Sequence, residues 1–276
     1  MKVDFVKMHG LGNDFVVIDA ISQKISLNQA QIQKLADRKL SVGFDQLLLV
    51  EPASTEGVDF RYRIFNHDGS EVGQCGNGAR CFAQFVRLKG LTNKDLIKVE
   101  TMTGVLTLEV LNACDVTVDM GIPSFAPETI PFNAEHTAEC YELDVAGESI
   151  SISVVNIGNP HAIIFVEDVS TARVNELGDK IEKHPRFPER TNVQFVQIEN
   201  RYTIRQRIFE RGVGETAASG SGACAAVAVA QNRNVVDHVV TVQMPGGDLK
   251  IERKNNNNSL YMTGPTEISF EGSFNL

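Results

Sequence analysis

The feature that most constrains this fold is an internal repeat at about half the chain length. Two glycine turns, Cys75-Gly76-Asn77-Gly78 and Ser219-Gly220-Ser221-Gly222, each open an apolar helix, and 144 positions separate residue 75 from residue 219. At the same offset, the segment RIFN that starts at Arg63 corresponds to RIFE, which starts at Arg207. Self-similarity at a fixed spacing predicts two copies of one folding unit.

Two further matches lie at a closely similar offset of 146 positions, the distance from residue 13 to residue 159. Gly12-Asn13 corresponds to Gly158-Asn159, and Gln46 corresponds to Asn192; an apolar strand segment follows each of them. Four matches in the same order argue against chance coincidence. The repeated positions are polar side chains and glycine turns, where binding and catalysis concentrate. We therefore favour a functional duplication over a purely structural one.

The hydrophobic pattern predicts one long helix per half. Residues 77–89 carry an apolar stripe at helical spacing, whereas the segment ACAAVAVA at 223–230 is apolar on every side and should be buried all round. The run at 255–259 is typical of a surface loop. Alternating patterns predict strands at 98–101, 106–110, 116–119, 151–155, 238–243 and 250–252.

These elements predict an α+β protein with two pseudo-symmetric domains, each a mixed or antiparallel, barrel-like β-sheet wrapped around a central α-helix. The N-terminal half covers residues 1–117 and is joined by the C-terminal strand at 264–276, while the C-terminal half covers residues 118–263. The duplicated turns can then face each other, so we expect the active site in the cleft between the halves.

Charge and cysteine content disfavour several classes of protein. With 26 basic and 35 acidic residues, the formal net charge of −9 argues against nucleic-acid binding and against an anionic membrane surface. No apolar run approaches the roughly 18 residues of a membrane span, and the N-terminus does not have the pattern of a signal peptide. The five cysteines are odd in number and lack a C-x-x-C pair, which disfavours a disulfide scaffold or structural zinc and favours a cytoplasmic location.

The paired turns indicate acid–base chemistry next to a carboxylate. Backbone N–H groups at a helix N-terminus bind anions, so a carboxylate held between both turns would have Cys75 on one face and Ser219 on the other. A thiol at a helix N-terminus has a pKa below its usual value of about 8.5 and can act as a general base. Removing a proton from one face and delivering one to the other inverts a stereocentre. Neither a dinucleotide fingerprint nor a metal-ligand cluster occurs in the sequence, so we expect no cofactor and no metal.

The same residues resemble a known family. The segments KMHGLGNDF, VGFDQLLLVEP, RIFNHDGSEVGQCGNGARCFA, GNPH, HPRFPERTNV and ERGVGETAASGSGACAAVAV together resemble the diaminopimelate epimerase family, and the similarity runs from Met8 to YMTGP at 261–265. The resemblance implies interconversion of LL- and meso-diaminopimelate, on the route to lysine and peptidoglycan precursors. It also implies two mirrored domains, proton transfer by two cysteines without cofactor or metal, and a homodimer.

The resemblance also implies roles for individual residues. Cys75 would be one catalytic thiol, and backbone N–H groups around Gly76, Asn77, Gly220 and Ser221 would hold the reacting carboxylate. His161 would relay protons near the thiols or serve only a structural role. Arg211 can bind the distal carboxylate through two hydrogen bonds, and Glu210 can pair with the distal ammonium. The substrate's distal end would be read by Asn66, Asn159, Asn192, Glu210 and Arg211, with Asn13 and Gln46 also lining the site.

The chain departs from the family pattern at position 219, where serine replaces the second catalytic cysteine. Because a hydroxyl is a far weaker acid than a thiol, we expect strongly impaired epimerisation, with proton exchange on the Cys75 face surviving. Three interpretations follow: an engineered substitution, which the otherwise intact motifs favour; a one-thiol isomerase or dehydratase acting next to a carboxylate; or a non-catalytic protein that binds diaminopimelate.

Overall fold

The computed structural model describes residues 1–73, 75–254 and 258–276, so most of the predicted loop at 255–259 lies outside the described residues. The chain divides into two compact units. Unit 1 comprises Met1–Asp119 together with Thr263–Leu276, and unit 2 comprises Met120–Met262.

The first part of unit 1 contains eight strands and two α-helices within the described ranges. The helices are α1 (Gln29–Ala36) and α2 (Gly76–Leu88). The strands are β1 (Lys2–Gly10), β2 (Asn13–Asp19), β3 (Gln46–Pro52), β4 (Phe60–Asn66), β5 (Glu71–Val72), β6 (Leu96–Thr101), β7 (Gly104–Val110) and β8 (Asp115–Asp119).

Unit 2 has a similar set of elements, and the chain then ends with two more strands. The helices of unit 2 are α3 (Val174–Glu182) and α4 (Gly220–Asn232), with short 3-10 turns at Pro127–Thr129 and Val169–Thr171. Strand β17 (Leu260–Pro265) leads into β18 (Glu267–Asn275), which belongs to unit 1. The other strands are β9 (Tyr141–Val145), β10 (Glu148–Asn156), β11 (Pro160–Phe165), β12 (Asn192–Asn200), β13 (Thr203–Glu210), β14 (Gly214–Thr216), β15 (Val239–Met244) and β16 (Gly247–Arg253).

The strands pair in the same order in the two units. In unit 1, β1 is antiparallel to β2, β2 is parallel to β3, β3 is antiparallel to β4, and β4 is parallel to β6. In unit 2, strands β10, β11, β12, β13 and β15 repeat these pairings. The register repeats too, because Phe15 lies opposite Gln46 while His161, 146 positions later, lies opposite Asn192. The predicted α+β fold with two related domains, each a mixed sheet with a helix, is confirmed.

The two long helices correspond closely to their predictions. Each has 13 residues, and α2 occupies Gly76–Leu88 where the pattern predicted 77–89. Residues 223–230 of α4 are all buried, as the uniformly apolar sequence indicated. Each predicted strand overlaps an observed one. No helix in the described ranges is both long and apolar enough to cross a bilayer.

A second, shorter helix packs on the other face of each sheet, which the prediction of one helix per half missed. Ile32 of α1 belongs to one buried cluster with Val16 of β2, whereas the neighbouring Phe15 points to the opposite face, toward Gly78 of α2. In unit 2, Leu177 and other residues of α3 pack in the equivalent way. Helix α1 buries only Ile32 and Leu35, too few apolar positions to give a clear period. Helix α3 does carry a helical period in Val174, Leu177 and Ile181, a signal that was available in the sequence.

Glycine at the third position of each long helix allows the helix to approach its sheet closely. A Cβ added to Gly78 would lie 2.5 Å from the Tyr62 hydroxyl, and one added to Gly222 would lie 2.7 Å from Cδ1 of Ile208. Because the Tyr62 ring is rigid, a substitution at Gly78 would push α2 away from the sheet, whereas one at Gly222 would first displace the flexible end of Ile208. Gly78 therefore sets the position of the residues at the N-terminus of α2.

Candidate active site

Cys75 is the N-cap of α2 and lies at the centre of a polar group in unit 1. Its backbone is extended, with φ −143° and ψ 120°, and its side chain makes no capping hydrogen bond to the described residues of the helix. Instead the sulfur donates to Oδ1 of Asn13 at 3.7 Å. The Cys75 carbonyl accepts hydrogen bonds from the Tyr62 hydroxyl at 3.3 Å and from the Ala79 amide at 2.8 Å. The thiol is thus directed by Asn13 and not by its own helix.

The other predicted residues of unit 1 join this group or a neighbouring pair. Asn77, in the first turn of α2, donates through Nδ2 to the same Asn13 oxygen at 3.4 Å. Gln46 and Asn66 lie opposite each other on β3 and β4, and Nε2 of Gln46 donates to Oδ1 of Asn66 at 3.0 Å. These side chains present amide groups of both polarities, which suits recognition of an amino acid.

Four charged residues behind Asn13 escaped the sequence analysis. Oδ2 of Asp45 accepts a hydrogen bond from Nδ2 of Asn13 at 3.1 Å. Arg38 donates to both carboxylate oxygens of Asp14, at 2.9 and 2.6 Å, and to Asp45 at 2.7 Å. Nζ of Lys7, whose side chain is only 8% exposed, lies 2.6 Å from Asp14 and also donates to the Gly43 carbonyl.

The charges in this cluster are mutually compensated. Although burial alone would raise the pKa of Asp14, hydrogen bonds from Arg38 and Lys7 hold that pKa well below its ordinary value. All four residues occur in or near the segments KMHGLGNDF and VGFDQ. The charged residues of these motifs were therefore the only indication of the cluster in the sequence. Their spatial grouping depends on the parallel pairing of β2 with β3, which the sequence analysis did not derive.

Ser219 is the N-cap of α4 and has nearly the same backbone conformation as Cys75, with φ −139° and ψ 120°. Its side chain behaves differently, because Oγ accepts a hydrogen bond from the Gly222 amide at 3.3 Å. Ser219 is only 4% exposed. The hydroxyl therefore caps the helix, while Gly220 and Ser221 form the first turn as their counterparts do in α2.

His161, on β11, lies fully buried and has a partner on each ring nitrogen. Nε2 lies 2.8 Å from Oδ1 of Asn159, and Nδ1 lies 2.8 Å from Nε2 of Gln194. Because a carbonyl oxygen only accepts, Nε2 donates to Asn159, and the neutral ring accepts from Gln194 at Nδ1. Burial and, to a smaller extent, the positive charge of Arg211 lower the pKa of His161 to about 3, although the hydrogen bond with Gln194 acts in the opposite direction. The imidazole is neutral near pH 7, which favours the structural role over the proton relay.

The Glu210–Arg211 turn is braced by residues beneath it. Oδ1 of Asn192 accepts from the Arg211 amide at 3.0 Å, and Nδ2 of Asn192 donates to the Pro160 carbonyl at 3.0 Å. Asn192 is 4% exposed, so these contacts make it a brace as much as a binding residue. The Arg211 side chain donates to the Glu189 carbonyl at 3.0 Å, and Glu210 accepts from the Thr216 hydroxyl at 2.5 Å.

Glu182 is a further supporting residue that the sequence analysis missed. Its nearly buried carboxylate, 3% exposed, accepts from the Gly212 amide at 2.8 Å and lies 3.5 Å from Arg190. Asn192 and Glu182 thereby hold the consecutive amides of Arg211 and Gly212. Across the described residues, no three His, Cys, Asp or Glu side chains are grouped as a metal ion would require.

Comparisons with known proteins agree with this architecture. The family model described as diaminopimelate epimerase matches residues 5–126 and 153–269. A Bacillus anthracis phenazine biosynthesis protein of the PhzF family is similar in structure, with a TM-score of 0.71, 18% sequence identity and full coverage of both chains. A hydroxyproline epimerase from Agrobacterium vitis, solved with bound trans-4-hydroxy-L-proline, has a TM-score of 0.71 at 14% identity and covers 99% of this chain and 92% of its own. A methylitaconate-delta-isomerase has a TM-score of 0.67 at 13% identity, with 99% and 95% coverage. At these identities the three structures establish the fold alone.

Proposed function

This chain belongs to the diaminopimelate epimerase family, and from that membership we propose that it binds diaminopimelate and transfers a proton at the carbon next to one carboxylate. The proposal requires no cofactor and no metal. Cys75 would remove or return the proton on its own face, and the N–H groups at the starts of α2 and α4 would stabilise the charge that develops on the carboxylate. Lysine and peptidoglycan-precursor synthesis is the proposed metabolic setting.

The observation that carries this proposal is the match between the two N-caps. Cys75 and Ser219 begin helices of equal length with φ and ψ values that differ by only a few degrees. At equivalent positions, Cys75 thus supplies a thiol where Ser219 supplies a hydroxyl. Oγ of Ser219 accepts from its own helix and is a poor base at neutral pH. We expect the full epimerase reaction to be strongly impaired while exchange at the Cys75 face continues.

Selection of the substrate would depend on its distal amino-acid group. Arg211 is exposed, so its guanidinium can bind a distal carboxylate, and the Glu210 carboxylate can pair with a distal ammonium. Asn66 and Asn159 would supply further hydrogen bonds, with Asn13 and Gln46 lining the same site. Buried polar groups left unpaired by a simpler amino acid would make that ligand bind much less tightly.

Solvent deuterium tests the reaction. Incubation with LL- and meso-diaminopimelate in D2O, each separately, should give label without inversion in only one of the two isomers, the one whose reacting C–H bond faces Cys75. The Ser219→Cys variant should interconvert the isomers. The Cys75→Ser variant is the matched control and should show neither. If the unaltered chain interconverts the isomers as fast as Ser219→Cys, the second thiol is unnecessary and the proposed impairment is wrong.

The capped hydroxyl of Ser219 specifically favours two alternative functions. One is an isomerase or dehydratase that needs a single thiol next to a carboxylate, and the other is a diaminopimelate-binding protein without catalysis. Calorimetric binding of diaminopimelate with no deuterium incorporation would favour the binding protein. Exchange without inversion that survives Ser219→Ala, combined with turnover of another carboxylate substrate, would favour the one-thiol enzyme.

We also propose that the chain works as a homodimer in the cytoplasm, where Cys75 stays a thiol. Strand β18 pairs with β1. Ile268 and Phe270 of this strand are 49% and 50% exposed. Large apolar side chains that are exposed in this way are suited to burial against a second copy of the chain.

A further inference from the structure

The orientation of the Asn13 amide is determined by Asp45. An ionised carboxylate only accepts hydrogen bonds, so the group that faces Oδ2 of Asp45 at 3.1 Å must be the amide nitrogen of Asn13. The carbonyl oxygen of Asn13 then points the other way, toward the Cys75 sulfur at 3.7 Å and Nδ2 of Asn77 at 3.4 Å. The Asn77 contact agrees with this assignment because its amino group is also a donor.

Asp45 is itself held in place from two sides. Its Oδ1 accepts from Arg38 at 2.7 Å, and its Oδ2 also accepts from the Asp14 amide at 3.1 Å. Arg38 is fixed in turn by its two hydrogen bonds to Asp14, which pairs with the nearly buried Lys7. Turning the Asn13 amide over would therefore place its carbonyl against a fixed carboxylate.

A carbonyl oxygen beside the sulfur favours the thiol over the thiolate. It accepts the S–H proton, whereas it repels a negatively charged sulfur; the N-terminus of α2 acts in the opposite direction. We infer that Asp45 is a positioning residue that holds the Asn13 carbonyl toward Cys75 and so keeps the resting Cys75 in its acid form. This inference rests on the proposed function in one respect only, namely that the reaction uses the proton held by Cys75.

The other titratable groups around Cys75 do not replace this effect. Tyr62 on β4 donates to the Cys75 carbonyl, and burial raises its pKa well above the ordinary value, so it stays neutral. Burial raises the pKa of Cys81 on α2 to about 12, so that thiol also stays neutral, beside the charged Arg80. The charged groups near Cys75 are Arg80 and the cluster that contains Asp45, which is connected to Cys75 through Asn13.

The pH dependence of Cys75 alkylation tests the inference without any substrate. Iodoacetamide labelling is followed by mass spectrometry of the peptide that contains Cys75, so the other cysteines do not interfere. Losing one hydrogen bond to the thiol should lower the midpoint pH by about half a unit to one unit in Asn13→Ala. Asp45→Asn, which lets the Asn13 amide turn its amino group toward the sulfur, should lower the midpoint by a similar amount.

A double-mutant cycle separates orientation from simple loss of charge. In the Asn13→Ala background, Asp45→Asn should change the midpoint very little, because no amide remains to be oriented. An equal shift in both backgrounds would show that Asp45 acts through its charge alone and would overturn the inference. Asp95→Asn, which removes an exposed carboxylate paired with Arg87 in the same unit, is the control and should leave the midpoint unchanged.

The Asn13→Ala measurement keeps the inference testable even if Asp45→Asn does not fold. An unchanged or raised midpoint in Asn13→Ala would overturn it, and circular dichroism at each pH excludes unfolding as the source of a lowered midpoint. Failure of the proposed function is a separate result, since absent deuterium exchange with diaminopimelate leaves the alkylation pattern as expected.

Discussion

The two N-caps predict opposite effects of exchanging serine and cysteine on stability and on chemistry. Ser219→Cys removes an oxygen that accepts from the buried amide of Gly222 at 3.3 Å. Replacing a serine N-cap by a residue that does not cap costs about 1 kcal/mol of unfolding free energy. Because this hydrogen bond is long, we expect about 0.5–1 kcal/mol. Cys75→Ser should do the reverse, since Cys75 has almost the same backbone angles and no capping bond to the described residues of its helix.

Urea unfolding measures these changes. With the slope m unchanged, Ser219→Cys should lower the midpoint and Cys75→Ser should raise it. In a chain of this size, the corresponding melting temperatures should move by about 1–4 °C in opposite directions. The double exchange should nearly cancel, because the two caps do not share partners. Ser219→Ala should lose as much stability as Ser219→Cys, which assigns the effect to Oγ.

We expect each exchange to change the catalysed reaction and the free energy of unfolding in opposite directions. Ser219→Cys should gain isomer interconversion while losing stability, and Cys75→Ser should gain stability while losing exchange. A Ser219→Cys protein as stable as the unaltered chain, or a Cys75→Ser protein destabilised by about 1 kcal/mol, would refute the account of the caps.

Two further predictions concern other parts of the molecule. Phe270→Glu on β18 should weaken a dimer by about 30-fold or more, as loss of a central apolar contact does. Ser273→Glu is the control, because the register from Phe270 to Ser273 is uninterrupted and places this exposed residue on the other face of the strand. Sedimentation velocity distinguishes the two variants, and monomers in the unaltered chain would contradict the proposed dimer. The folded pKa of His161, about 3, lies below its ordinary value near 6.5, so the unfolded state takes up the proton first. The stability associated with a neutral His161 is complete above about pH 6.5 and is lost as the pH falls toward 3, at up to about 1.4 kcal/mol per pH unit. His161→Gln should flatten that dependence in urea titrations between pH 7 and pH 4, and an equally steep dependence in the variant would exclude His161 as its source.

The sequence was sufficient to predict features that depend on local pattern. The repeated glycine turns located the starts of α2 and α4, the pattern at 77–89 gave the bounds of α2 to within a residue, and the uniform apolarity of 223–230 predicted its burial. Helix α1 was not predicted because it is short and buries only two side chains, whereas α3 was missed although its apolar residues recur at helical spacing. Nor did the sequence identify Asp45 or Glu182 as supports. A carboxylate that accepts from Asn13 or from the Gly212 amide is recognisable only once strand pairing brings them together.

The repeat also concealed a difference between the two units. Beneath α2 the sheet presents Phe15 and Tyr62, but the equivalent positions beneath α4 are His161 and Gln206. The backbone register is the same, so this change of polarity is carried entirely by side chains.

The asparagines at equivalent positions show what this difference does. Asn13 is bound through its amino group by Asp45 and presents its oxygen to Cys75. Asn159 is bound through its oxygen by His161, which leaves its amino group to donate elsewhere. A duplicated backbone thus supports one unit that presents an acceptor and another that presents a donor.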